Sequence, residues 1–190
     1  GYENEQTNII NDQVTLKVLD ENNNEQEIKF ICSIAKPEIQ ALGGNTPIGR
    51  HYGKNNGISF VRHGRELELS YKGFFTQSEA RNRWIGLEIQ FEPALDRFFN
   101  VPNNKQSIRD FRKFEEDELE GLSITISQEK DTFEGRKASM LIELHKIVDR
   151  CFKNAEAIVK SRGKGNRKKE IAGEEDSTGT RASKRLKEID

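Results

Sequence analysis

The chain is poor in the residues that usually announce chemistry. Its 190 residues hold two cysteines, three histidines, four prolines, one methionine and one tryptophan. Cys32 and Cys151 are far apart and lack partners at metal-ligand spacing, which argues against a disulfide framework or a thiolate zinc site. Both lie among apolar residues and are read as buried thiols of a reducing compartment, so the chain is expected to be cytoplasmic. No run of about 18 apolar residues occurs, so no membrane-spanning helix is expected. No basic-then-apolar leader opens the chain, so no secretion signal is read. The first residue is Gly1 rather than methionine, and a processed product or an excised piece is expected. His51, His63 and His145 stand apart and are read as surface or packing residues. HExxH, paired-cysteine and GxSxG patterns are all missing, which removes the common signatures of metalloproteases and serine hydrolases. One near-miss is rejected. Gly44–His51 has the G-x-x-x-x-G spacing of a phosphate-binding loop, but Arg50 stands where that loop needs lysine and His51 where it needs a hydroxyl.

What is present is charge, unevenly placed. Formal net charge is −1, and charged and hydrophobic residues each make up 33%. Six cations and no acid fall between Lys160 and Lys169. The segment 161–190 has almost no large apolar side chains to offset the entropy of ordering and is read as a basic, then mixed-charge, mobile tail. Residues 1–11 are polar and read as frayed. Residues 12–160 are read as one α+β domain.

Alternation marks the strands. Val14, Leu16 and Val18 alternate with Thr15 and Lys17, and Ile28, Phe30, Cys32 and Ile34 share one face of a second strand after an Asn-rich turn. A loop rich in Gly and Pro spans 36–56. Ile58 and Phe60 lead into a hairpin that turns at His63-Gly64 and returns through Leu67 and Leu69. Ile85, Leu87, Ile89 and Phe91 form the strongest strand, with Trp84 read as a packing residue at its start. Pro93 suits the start of a short helix. Ser107 with Asp110 predicts a helix start, and 122–127 (LSITIS) predicts one more short strand. Leu141, Leu144, Val148, Cys151, Ala155 and Ile158 predict a long helix over about 132–160, read as covering its own sheet rather than as a coiled coil. Together these predict a mostly antiparallel sheet with helices on one face and a long C-terminal helix.

Between the Phe98-Phe99 turn and the predicted helix lies Asn103-Asn104-Lys105-Gln106. A helix N-terminus favours anions. An ammonium suits a terminal phosphate as a point charge, and flanking amides can hold a loop in shape. This stretch is therefore read as an anion-contacting loop.

Three pieces in order carry a resemblance: NNGISFVRHGREL, then RWIGLEIQFE, then the NKQ loop. Over roughly residues 25–110 the chain resembles the second, transducer domain of GHKL-type ATPases (the gyrase, heat-shock chaperone, histidine kinase and MutL relatives), and in particular the Microrchidia-like and bacterial members. The resemblance implies a transducer-like βαβ domain, with ATP and Mg²⁺ held by a preceding domain of the same protein. It implies that Lys105 reaches the γ-phosphate while Gln106, Asn104 and Asn103 shape the loop. It also implies that the nucleotide state is relayed onward. No DxGxG and no glycine-rich lid occur in these residues, so the chain alone is expected to hold no nucleotide and catalyse nothing, while its parent is an ATPase. A monomer or weak homodimer is expected. The alternative is a non-enzymatic binding module that engages nucleic acid or an acidic partner through the loop around Arg50 and Lys54 and through Lys160–Lys169. Arg62 and Arg65, at the hairpin turn, and Arg81 and Arg83 are read either as exposed charges or as docking residues for the nucleotide domain.

Overall fold

The computed structural model describes the backbone of residues 7–9 and 14–186 and the side chains of residues 14–161. Six strands form one sheet: β1 (Thr7–Ile9), β2 (Val14–Leu19), β3 (Glu25–Ala35), β4 (Gly57–Arg62), β5 (Arg65–Ser70) and β6 (Ile85–Phe91). Their order is β1-β3-β6-β4-β5, and β2 also pairs with β3. All pairings are antiparallel except β4 with β6. The α+β class and mostly antiparallel sheet expected from alternation are what the chain forms.

Strand β3 explains much of the arrangement. Its first half pairs with β2 from Val14↔Phe30 to Leu19↔Glu25. That leaves the edge of its last residues free, and Thr7–Ile9 take it, pairing with Ser33–Ala35. Part of the segment read as frayed is thus a strand, because unpaired backbone groups along a long strand attract a partner. The β2–β3 turn is built by Asp20, whose carboxylate accepts from the N–H groups of Asn22 and Asn24 and from the Gln26 amide at 2.8–2.9 Å. These hydrogen bonds, led by the one from Asn24, hold its carboxyl below the usual carboxylate range. The β4–β5 hairpin turns at His63 (φ 47°) and Gly64 (φ 76°), the two positive-φ residues that a tight two-residue hairpin requires.

The helices are α1 (Pro37–Ala41), α2 (Pro47–Lys54), α3 (Asp96–Phe99), α4 (Glu116–Glu129) and α5 (Phe133–Leu186). The region 36–56, read as loop, contains α1 and α2. Thr46 caps α2, accepting from the Gly49 N–H at 3.1 Å. Helix α5 lies across β2, β3 and β6, with α4 stacked against it. The core is built from Ile28, Phe30, Cys32 and Ile34 of β3, Leu87 and Ile89 of β6, and Leu144, Val148 and Ala155 of α5, all 3% exposed or less. Cys32 is fully buried, and burial pushes its thiol far above the ordinary range.

Three expectations are corrected. The stretch 122–127 is not a strand but part of α4. Leu122, Thr125 and Ile126 are half-buried toward α5, while Ile124, which alternation would bury, is 49% exposed. The hydroxyls of Ser123 and Thr125 hydrogen-bond carbonyls four residues back. Residues 107–115 form no helix, for reasons given below. On α5, Phe152 and Val159 are buried where the sequence spacing puts the seam through Cys151 and Ile158, which are only half-buried, because a straight helix repeats every 3.6 residues and drifts off a 3.5 spacing. The helix backbone passes Lys160 without a break and continues to Leu186, into the stretch read as tail.

Candidate functional site

The site is assembled where β6 leaves the sheet. Pro93 opens a single turn of tight helix, and α3 follows. Phe98 and Phe99 are fully buried, Phe99 against Phe91 (4.3 Å between centroids) and Phe98 against Phe133 of α5 (5.0 Å). Arg62, at the end of β4, grips Asp96 through Nε (2.6 Å) and Nη2 (2.9 Å), a fork-to-fork pair that fixes α3 on the sheet. Within that pair, the hydrogen bond to Asp96 raises the Arg62 pKa.

Helix α3 stops at Asn100, which adopts φ 51°. Its N–H reaches Arg97 O, and the Val101 N–H reaches Asp96 O at 2.9 Å, so the last carbonyls are satisfied in the left-handed manner common at helix ends. A β-turn follows over Pro102–Lys105, closed by the Lys105 N–H on Pro102 O at 2.8 Å. Lys105 itself has φ 49°, a conformation that costs a non-glycine residue some strain. Asn103, Asn104, Lys105 and Gln106 are all exposed. Among the described residues, Lys105 has no ion pair or side-chain hydrogen bond. Asn103, Asn104 and Lys105 thus share one solvent-facing turn, and Gln106 follows it, also exposed.

The chain beyond the turn departs from expectation. Ser107 starts no helix. The Ile108 N–H goes to Glu68 Oε2 (2.9 Å) and the Ile108 carbonyl to Lys72 Nζ (2.8 Å), while the Arg109 and Asp110 N–H groups share Phe99 O. Backbone groups spoken for by tertiary partners cannot also close a helical turn. Ile108 and Phe111 are buried at a spacing of three, so the apolar pattern imitates a helix that is not there. The first helix after the turn is α4, eleven residues on from Lys105, where the Glu118 carboxylate accepts from the Glu115 N–H and is gripped by Arg112. No helix therefore begins directly after the Lys105 turn, and the anion contact read from the sequence rests on the ammonium and its amide neighbours.

The base of the turn is tied down from behind. The Asn100 side-chain amide donates to Asp110 Oδ1 at 2.9 Å, and Lys137 Nζ of α5 donates to Asp110 Oδ2 at 2.5 Å. Asn100 and Lys137 were not singled out from sequence, and Asp110 only as part of a helix start that does not form. Their partners lie 10 and 27 positions away, and no short-range pattern marks them.

A hollow lies across the sheet from α5. It has a volume of about 370 Å³ and is bordered by Ser33, Tyr52, Ser59, Arg83, Trp84 and Glu88. Trp84 is 7% exposed and packs on Tyr52 with centroids 5.3 Å apart, which accounts for it as a packing residue. Arg83 staples the glycine-rich segment to its own short turn: Nη1 donates to Gly44 O (2.7 Å), while Nε holds the side chain on Ala80 O (2.8 Å), three residues back. The phosphate-loop look-alike at Gly44–His51 is therefore the capped start of α2, preceded by α1 and not by a strand. Among the described residues no group of three or more His, Cys, Asp or Glu is placed to hold a metal ion, and no helix is long and apolar enough to cross a membrane.

No protein-family model, curated protein or solved structure matches the chain.

Proposed function

We propose that this chain is the transducer-like part of a GHKL-type ATPase, in which Lys105 contacts the γ-phosphate of an ATP held, with its Mg²⁺, by a preceding domain. The observation that carries the reading is the Lys105 turn: an exposed ammonium, unpaired among the described residues, on a backbone whose base is pinned at both ends. A charge held ready but unneutralised has affinity to spend on an anion. A contact made with a triphosphate and lost with a diphosphate supplies the differential free energy that a switch needs. Two features of the resemblance also meet in space, since the hairpin strand β4 lies directly beside β6, whose end leads into the turn. The chain's own contribution is to position one cation and to register whether it is engaged. The chemistry of hydrolysis belongs to the nucleotide domain.

The test joins or mixes this chain with such a nucleotide domain and measures ATP turnover and ADP affinity. Lys105→Ala is expected to lower turnover by about ten-fold or more, the equivalent of losing one charge-assisted phosphate contact, with ADP affinity changed by less than about two-fold. Unchanged turnover would overturn the proposal.

A second reading is favoured by one observation: the backbone of α5 continues as helix through the cation-rich stretch 160–169. Nucleic acid bound there would be held by phosphate neutralisation, with affinity falling steeply as salt rises. Ending the chain after Ser161 would abolish this retention; equal retention by the shortened chain would dismiss the reading.

A further inference from the structure

Asp110 occupies an unusual place. It belongs to no helix or strand, its backbone N–H is used by Phe99 O, and its two carboxylate oxygens serve different masters. Oδ1 accepts from the Asn100 amide, at the residue that ends α3 and begins the approach to the Lys105 turn. Oδ2 accepts from Lys137, in the second turn of α5. The Asp110–Lys137 pair is sheltered, with side-chain exposures of 26% and 19%, so water screens it less than it screens the surface pairs. Lys137 Nζ also lies 5.9 Å from the Phe133 ring centroid, and Phe133 packs on Phe98 of α3. Two routes, one ionic and one apolar, thus connect the first turns of α5 to the segment that presents Lys105.

We propose that Asp110 and Lys137 are positioning residues for Lys105, and that their ion pair couples the turn to α5. A displacement of the turn toward a bound anion pulls on Asn100. Asn100 and Lys137 share one carboxylate, so the displacement is felt at the start of the helix that lies across β2, β3 and β6. The coupling also runs the other way: a shift of α5 alters how firmly the ammonium is presented, as reciprocity between linked sites requires. The use of this coupling rests on the phosphate-contact reading given above, but its existence does not, and the experiment separates the two.

The measurement is amide hydrogen exchange and backbone ¹⁵N relaxation on the full chain. In Lys137→Met, the Lys105 and Val101 amides are expected to exchange about three-fold or more faster, as a locally loosened segment does, while the melting temperature changes little. Asp110→Asn, which keeps the shape and the Asn100 contact but loses the ion pair, should do the same, and Lys137→Arg should restore the wild-type rates. Lys146→Met is the control, because that amine pairs with Glu143 on the same helix. Unchanged Lys105 exchange in both Lys137→Met and Asp110→Asn overturns the coupling, whatever Lys105→Ala does to ATP turnover. Altered exchange together with unchanged turnover in Lys105→Ala leaves the coupling standing and removes the phosphate reading.

Discussion

His145 shows how a residue with an ordinary functional reputation becomes a structural one. It is 8% exposed, lies between Phe74 and Phe114 with centroids 5.6 Å from each, and has a buried Nε2 that finds no hydrogen-bond partner among the described residues. Burial lowers its pKa; Lys113 and Lys153 add to this and Asp149 opposes it. The folded chain therefore prefers the neutral ring, while the unfolded chain takes up a proton below about pH 6.5. Stability from this site is complete above that pH and declines as the pH falls toward the depressed folded-state pKa. Melting temperatures measured between about pH 7 and pH 5 should drop less in His145→Leu than in the wild type, since that variant removes the titration and keeps an apolar filling. An identical pH profile in both proteins would refute the assignment.

Elements here are decided by what their backbone meets. Gly121 and Gly135 both sit in helices, and they should respond in opposite ways to the same change. A β-carbon at Gly121 meets nothing within 4 Å, so Gly121→Ala should stabilise the fold by about 0.5–1 kcal/mol through helix propensity. A β-carbon at Gly135 would lie 1.9 Å from the carbonyl oxygen of Glu129, where α4 turns into α5. Gly135→Ala should therefore lose about 1–3 kcal/mol despite the better propensity of alanine. Urea unfolding of the two variants measures both signs. The same dependence on surroundings explains which elements could be read in advance. Strands β2 to β6 announce themselves by alternation, and the His63-Gly64 turn by its composition. The stretch 122–127 alternates just as well, yet its hydroxyls bond back along a helix. Residues 107–115 carry helical spacing, yet Glu68, Lys72 and Phe99 claim their backbone groups.

At the scale of the molecule, α5 organises the core. Leu144 and Val148 are fully buried against the sheet, and Leu144→Ala should cost about 2–5 kcal/mol, the usual range for a buried leucine truncation, as read by chemical denaturation. Val159 is the last buried residue of the described seam. Removing everything after Ser161 should leave the melting temperature almost unchanged, because the contacts that close the core are already made. A drop of several degrees would mean that the remaining helix packs on the domain.

The α+β class, the faces of the strands, the long helix and the exposed polar loop over 103–106 were all legible in the order of amino acids, because each depends on local spacing and local turn chemistry. The capture of Thr7–Ile9 by β3, the irregular path after Gln106 and the pinning of Lys105 through Asn100, Asp110 and Lys137 were not. Those features depend on which unsatisfied backbone groups and charges are brought side by side from distant parts of the chain, and spacing along one strand or helix carries no record of that.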